Sequence, residues 1–524
     1  MEEKKGKVKV IIPILLVVIL VVAGGFLFIF KDKLFGDEGS NTESHESKKT
    51  IKSDLKMLDN SLSEFDLAFL KIENGEENKI YSPLSIKYAL EMLAEGADGD
   101  TKAQLDAVIG EYTAKKYVNS NNMSFANALF IRNSFKDSVK EDYISNLKNV
   151  YNAEVMFDEF KSPKVINDWV SGKTFKLIPN LMDDVSDLDY VLVNALAIDM
   201  EWNKKIQSEH EDYNVHFKHL KEQGSEEEYG WVGAYVSPLD SGGYHQLEFE
   251  GSKDTVKSAD ISAIANRYDI VTKEGEANIR KTVLAEYEEW KKTHREEDYY
   301  SPFNIDTYMD DLKGAYKHVS SSTDFMFYVD DDVKVFAKDL KPYNGTTLQY
   351  VGIMPKETKL ATYIDKTSAK DLNTLIGNLK NIELDSFEED YITIIDGYIP
   401  MFDYEYELKL MDDLKAIGIT DVFDSSKADL SKLSSTKTYI DTAVHKANIE
   451  FSNEGIKAAA ATAMGGRGSA NGGFDYFYEV PVKRIDLTFD KPYMYIIRDK
   501  ATGEVWFTGT VYQPKVEKNT YEWE

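Results

Sequence analysis

The chain has 524 residues, no cysteine and a formal net charge of −29. Its 42% hydrophobic and 12% aromatic content describe a folded chain, long enough for one large core or about two to three domains. The missing thiols exclude disulfides, thiol catalysis, zinc–thiolate sites and cysteine lipidation, and the acidity, without a basic stripe, excludes nucleic acid as a partner.

Lys4, Lys5, Lys7 and Lys9 precede an apolar run over residues 10–30. At about 1.5 Å per residue that run spans roughly 30 Å, the thickness of a hydrocarbon core. It predicts an uncleaved anchor, since a cleaved signal has a shorter apolar region and a polar mature start, whereas Ala23-Gly24-Gly25 is followed by FLFIF. Most of the basic charge lies before the run. Residues 1–35 therefore read as a cytoplasmic start and a single membrane span, with the bulk of the chain extracytoplasmic. Secretion is the alternative. Residues 36–50, GDEGSNTESHESKKT, read as a flexible tether, and the folded part is expected over 51–524.

Leu55, Leu58, Leu62, Phe65 and Phe69 recur at helical spacing. Ser82 and Pro83 open a second helix with Ile86, Leu90 and Leu93 on one face. Strands are predicted over 191–198, 325–329, 348–354, 391–399, 485–489, 493–497 and 505–511. Helices early and strands late give an α+β fold class. Residues 209–317, rich in Glu, Lys and Tyr, read as a large insertion decorating the core, or as a small separate domain.

Catalytic motifs are missing. There is no HExxH, GxSxG or GxxxxGK[ST]. The glycines of GGRGSANGG, 465–473, do not make a phosphate loop, because Asn471 interrupts the count and no strand-to-helix context surrounds them. The eight histidines show no ligand spacing, and carboxylate pairs arise by chance among 91 acidic residues. No enzyme activity, cofactor or metal is expected. His445 reads as a satisfied core histidine.

Residues 450–470, EFSNEGIKAAAATAMGGRGSA, pose the main question. Read as a strand, Ile456, Ala458, Ala460, Thr462, Met464 and Gly466 form one uncharged face, while Lys457 and Arg467 fall on the other. Small side chains are what a close-packed sheet admits if it opens for a new strand. An alanine-rich helix ending at Gly465 is the competing reading, and from these residues alone the two stand level.

Seven further blocks stand in order: NKIYSPLSI (78–86), ANALF (126–130), NDWVSGKTFKLIP (167–179), LVNALAIDMEW (192–202), YIPMF (398–402), AVHKA (443–447), and FDKPYMYIIRD with WFTGTVYQP (489–514). Together they resemble the serpin family over most of 51–514 outside the insertion. The resemblance implies a metastable fold: a central large antiparallel or mixed sheet covered by helices, with an exposed reactive loop. It also implies a membrane-anchored, prokaryotic-type member with an inhibitory-type hinge. The implied activity is inhibition of serine (or cysteine) endopeptidases. The protease attacks the loop, the loop inserts as a new strand, and a covalent complex with a monomeric inhibitor results. A non-inhibitory serpin-fold binding protein at the cell surface is the alternative; charged, bulky or proline residues in the hinge would mark it, and 458–463 has none.

By similarity, the hinge comprises Glu454, Gly455, Ile456, Ala458, Ala459, Ala460, Ala461 and Thr462, with Gly455 supplying backbone freedom. Ile456 replaces the usual hydroxyl residue and, being apolar, should still bury. Ser82, Ser85, Asn194 and His445 match positions where the family's sheet parts, and are expected to hydrogen-bond one another. Trp202 matches a tryptophan at the top of the sheet. Counting from Gly455 puts the scissile bond at Ser469–Ala470, with Arg467–Gly468 as the neighbouring alternative. Counting back from Phe489 puts it near Pro481. The hinge count is preferred, because trapping needs a fixed length of insertable strand; Ser469 then favours an elastase- or subtilisin-like target.

Overall fold

Helix starts are set locally. Ser82 caps the helix Pro83–Ala94, its hydroxyl accepting the Ser85 N–H at 3.1 Å, with proline at the first position. Nearly every side chain of this helix is buried. The helix predicted from Leu55 begins later, at Glu64, and runs to Ile72. Asn60 takes a left-handed conformation in a turn ahead of it, and the Asp66 carboxylate accepts from the Ser63 N–H and hydroxyl at the helix start, each at 2.7 Å. Leu55 and Leu62 are buried without being helical, and Leu58 is 48% exposed. A spaced set of leucines therefore mimicked helical period.

This computed structural model describes residues 55–206, 219–224, 245–295, 302–314, 318–408, 410–456 and 474–516. The predicted anchor and tether lie outside them. Among the described residues, no helix is long and apolar enough to cross a membrane.

One sheet is complete. It has seven strands in the order Lys79–Tyr81, Val505–Val511, Tyr493–Asp499, Leu348–Pro355, Val333–Asp339, Met326–Val329, Lys380–Asn381, all antiparallel. Another sheet is divided. One half is Glu154–Asp158, Met123–Arg132 and Tyr190–Ile198. The other is Phe402–Leu408, His445–Phe451, Gly455–Ile456 and Met200–Glu201. Only Asp199 separates Ile198 from Met200, so the halves are joined at that end. Helices cover the sheets, as α+β packing requires.

The single strand predicted over 391–399 is two, Ile392–Asp396 and Tyr398–Pro400, in different sheets. Gly397 makes the switch. A Cβ there would lie 2.9 Å from Ile261 Cγ1 and 3.2 Å from Leu487 Cβ. Within 209–317, Val256–Asp260 pairs with Tyr398–Pro400 and Ala263–Asn266 with Ile392–Ile395, and Phe249, Val256 and Ile261 belong to the main core. Three helices, Ile270–Glu274, Glu276–Trp290 and Ile305–Gly314, lie between the paired strands Ala263–Asn266 and His318–Ser321 and carry a smaller core of their own.

A buried ion cluster fixes the helix behind the divided sheet. Lys87 Nζ lies 2.9 Å from Asp66 and 2.8 Å from Glu504, each side chain at most 1% exposed. Burial works against the ammonium, but the two carboxylates outweigh it and hold its pKa above the usual lysine value. The cluster ties Pro83–Ala94 to Glu64–Ile72 and to the turn before Val505–Val511.

Candidate functional site

The site lies where the two half-sheets face each other. Among the described residues, Tyr190–Ile198 pairs on one side only, with Met123–Arg132. His445–Phe451 pairs along its length with Phe402–Leu408, but meets its other neighbour at a single position, Phe451↔Ile456. Between the strands is a cavity of about 430 Å³, lined by Ser82, Ser85, Leu196, Leu414 and His445 among others. A smaller space of about 20 Å³ continues past Ile198, Ala447 and Ile449 to Ile456. At its closed end one strand separates the halves, which sets the gap at that end as one strand wide.

That one strand is Gly455–Ile456, which belongs to the expected hinge. Gly455 pairs with Glu201 and Ile456 with Met200. The turn before it is tight: the Ser452 N–H and hydroxyl both donate to the Gly455 carbonyl at 3.0 Å. Gly455 is required by close approach. A Cβ there would sit 2.5 Å from the Met200 carbonyl oxygen and 2.6 Å from Glu201 Cα. Its φ is not in the left-handed region, so the constraint is space, not the conformational freedom the sequence reading assigned. Ile456 is 3% exposed, as its apolar character required.

Trp202 anchors this end. It is fully buried, and its indole N–H donates to the Ser452 carbonyl at 2.8 Å. Its backbone N–H donates to the Glu454 carbonyl at 3.1 Å, and the Glu454 carboxylate pairs with Lys205. The ring meets Phe451 and Tyr350 edge-on, with centroids 5.4 and 6.1 Å away. Lys338 Nζ lies over the same ring at 5.9 Å. Burial lowers the Lys338 pKa to about 8 against the pull of Asp324.

Deeper in the opening, three of the four expected residues are linked. The Ser82 backbone N–H donates to His445 Nε2 at 2.9 Å, and the Ser85 N–H to the Ser82 hydroxyl. An accepting Nε2 puts the proton of a neutral imidazole on Nδ1. Burial pushes the His445 pKa down to about 4, in accord with that neutral form. The residue is half-buried, its ring bordering the cavity. Asn194 lines the same cavity but is bonded elsewhere: its Nδ2 donates to Asn127 Oδ1 at 2.7 Å, while Asn127 Nδ2 reaches the Tyr151 carbonyl. The expected bond from Asn194 to the serines and the histidine is therefore corrected. Ladder register decides it, because Asn194 stands directly opposite Asn127. Sequence reasoning missed Asn127 although it quoted ANALF; the signal was an asparagine among apolar strand residues.

Ala458, Ala459, Ala460, Ala461 and Thr462 lie outside the described residues, as do Arg467, Gly468, Ser469 and Ala470. The position counted back from Phe489 is shut. Tyr478–Val480 pairs in parallel with Leu220–Glu222, Val480 is fully buried, and the Pro481 carbonyl accepts the Ile392 N–H at 3.0 Å. A protease needs a free extended segment, and this one is built into two sheets.

Comparison with known proteins agrees with this architecture. The family model described as Serpin (serine protease inhibitor) matches residues 65–226 and 310–514. Leukocyte elastase inhibitor A of Mus musculus is 26% identical, over 83% of this chain and 93% of its own length. Neuroserpin of the same species is 24% identical over 84% and 87%. A serpin-like protein of Methanosarcina acetivorans is 23% identical over 88% and 86%. Among solved structures, the thermophilic serpin tengpin in its native state superposes with a TM-score of 0.55 at 22% identity, covering 89% of this chain and 97% of tengpin. Thyroxine-binding globulin in complex with thyroxine reaches 0.54 at 16% identity, over 87% and 99%. With the divided sheet and its entered glycine in place, and a family model spanning more than half of its length, the chain belongs to the serpin family.

Proposed function

We propose that this chain inhibits serine (or cysteine) endopeptidases as a suicide substrate. The observation that carries the reading is the vacancy between Tyr190–Ile198 and His445–Phe451, into which Gly455–Ile456 has already entered. The residues that follow, 457–463, are alanine apart from Lys457 and Thr462, so nothing bulky stands against their following as a strand. The target's nucleophile attacks the Ser469 carbonyl carbon, with Arg467 as the alternative position. The bond to the Ala470 nitrogen breaks, that amine leaves with a proton, and an acyl-enzyme forms. The freed upstream segment then enters the vacancy. Each ladder bond it makes contributes about 1 kcal/mol net, and among the described residues the nine of Tyr190–Ile198 have no strand on that side. The apolar run 10–30 supports a placement at the cell membrane with the inhibitor outside, the secreted form being the alternative.

The test is incubation of the full chain with a panel of serine proteases. The reading expects a complex with at least one of them that survives SDS, and a loop fragment whose mass places the cut at Ser469–Ala470 or Arg467–Gly468. Cleavage by every protease without retained complex would instead assign the chain to the non-inhibitory binding proteins of this fold.

A further inference from the structure

The helical unit of residues 270–314 faces a part of the loop that trapping does not consume. This is the downstream limb, 474–480, which leads into the strand Val482–Asp486. Phe474 sits among three aromatic rings of the unit. Its centroid lies 5.1 Å from Tyr287, 5.8 Å from Trp290 and 4.9 Å from Phe303. The Tyr308 hydroxyl donates to the Tyr476 carbonyl at 3.0 Å, and the Tyr478 hydroxyl to the Ile279 carbonyl at 3.4 Å. His219 Nδ1 faces Asp475 Oδ1 at 2.5 Å, and its ring packs on Tyr308. Tyr478–Val480 adds its parallel ladder to Leu220–Glu222, and Lys221 pairs with Glu479 at 3.1 Å. The limb and the helices thus share one hydrophobic cluster, separate from the main core.

The two ends of the loop are therefore held in opposite ways. The upstream end has begun to enter a sheet that rewards every further residue with ladder bonds. The downstream end is fastened to the helices. The chain between them is seventeen residues, 457–473. While it is uncut, each residue entering the sheet consumes about 3.3 Å in each direction, down the sheet and back. About half of the seventeen can enter before the limb is drawn taut. Deeper entry must strip Phe474, Tyr476 and Tyr478 from the helices. A cut between 456 and 474 removes that requirement.

We infer that the helical unit 270–314 is a clamp on the downstream limb, and that it makes full entry of the loop into the sheet conditional on cleavage. The inference rests on the trapping reading above. Phe474, Tyr308 and Tyr478 are its positioning residues; they act on the loop through the limb.

The experiment uses the full chain and two variants. Phe474→Ala empties the aromatic seat. The double variant Tyr308→Phe with Tyr478→Phe removes two hydrogen bonds and keeps the packing, so it folds even where the first does not. Each protein is incubated without protease at a temperature at which it stays folded. Intact mass verifies that it is uncut, and the remaining capacity to trap protease is followed with time. A second reading, on fresh protein, is the number of inhibitor molecules consumed per protease trapped. The clamp predicts that uncut variants lose trapping capacity about tenfold faster than the parent, turning heat-resistant as they do so, while the fresh stoichiometry is unchanged. A purely structural role would move the fresh stoichiometry or the unfolding midpoint instead. Equal rates of loss for parent and variants overturn the clamp and leave the trapping reading standing. A parent that neither traps protease nor gains heat resistance when cut overturns both.

Discussion

The two large sheets of this protein are made of similar residues and differ in completeness. In the seven-stranded sheet, Leu348–Pro355 is paired on both sides along nearly its whole length, with Val333–Asp339 and Tyr493–Asp499. In the divided sheet, Tyr190–Ile198 has one neighbour among the described residues, and a cavity lies on its other side. The divided sheet is not poor in strand-forming residues, since YVLVNALAI is as apolar as LQYVGIMP. Among the described residues it lacks a strand at that place, and the chain continues from Gly455–Ile456 into residues of small side chain, 458–463. On the proposed reading, the free energy available for function lies in that one gap, with the closed sheet as the frame against which it is held.

The largest perturbation strikes the frame. Lys87→Met leaves Asp66 buried without its cation and Glu504 with Lys115 alone, at 3.2 Å, and should cost about 3–5 kcal/mol. Urea unfolding followed by fluorescence should show that loss in cut and uncut protein alike. A loss confined to the uncut form would mean that the cluster belongs to the vacancy.

Acid acts on the opening. His445 has a pKa near 4 in the fold and about 6.5 in an unfolded chain. Between those values the unfolded chain binds the extra proton. The contribution is therefore fully present above about pH 6.5 and is lost as the pH falls toward 4, amounting to roughly 2–3 kcal/mol. Protonation also removes the Nε2 lone pair that accepts the Ser82 N–H. Unfolding midpoints of the uncut protein across this range should fall with pH, and His445→Asn should flatten the slope.

A smaller effect is expected at the hinge. Gly455→Ala drives a methyl group against the Met200–Glu201 backbone, at about 1–3 kcal/mol. The response should be withdrawal of 455–456 from the sheet, read as faster hydrogen exchange at Ile456 with little change in the seven-stranded sheet. Smallest is Asn194→Ala, which removes one cross-strand bond to Asn127, worth about 1 kcal/mol. It should shift uncut stability by that amount and leave His445 titration unchanged, because the two residues are not bonded.

These contrasts also mark what could be read from the sequence. Strands with largely apolar runs, such as Tyr190–Ile198 and Val505–Val511, were visible to within a residue or two, and the Ser82–Pro83 helix start followed from cap chemistry alone. The ordered motif blocks carried the family. Hidden features depend on neighbours distant in the chain. The vacancy is a relation between residues 190–198 and 445–451, and no local pattern encodes it. The need for glycine at 455 comes from a backbone that precedes it by more than 250 residues. Asn194 was matched with the wrong partners because register with Met123–Arg132, not proximity to the cavity, assigns its bond. The helical unit was read as decoration, and its aromatic seat for Phe474 became legible only once both stood in one cluster.

The most direct test is the thermal midpoint of the full chain before and after a single cut between residues 466 and 474. Filling nine waiting ladder positions, at about 1 kcal/mol each, should raise the midpoint by about 10 °C or more. A cut protein that unfolds at the same temperature as the intact one, or below it, would mean that the vacancy holds no usable free energy.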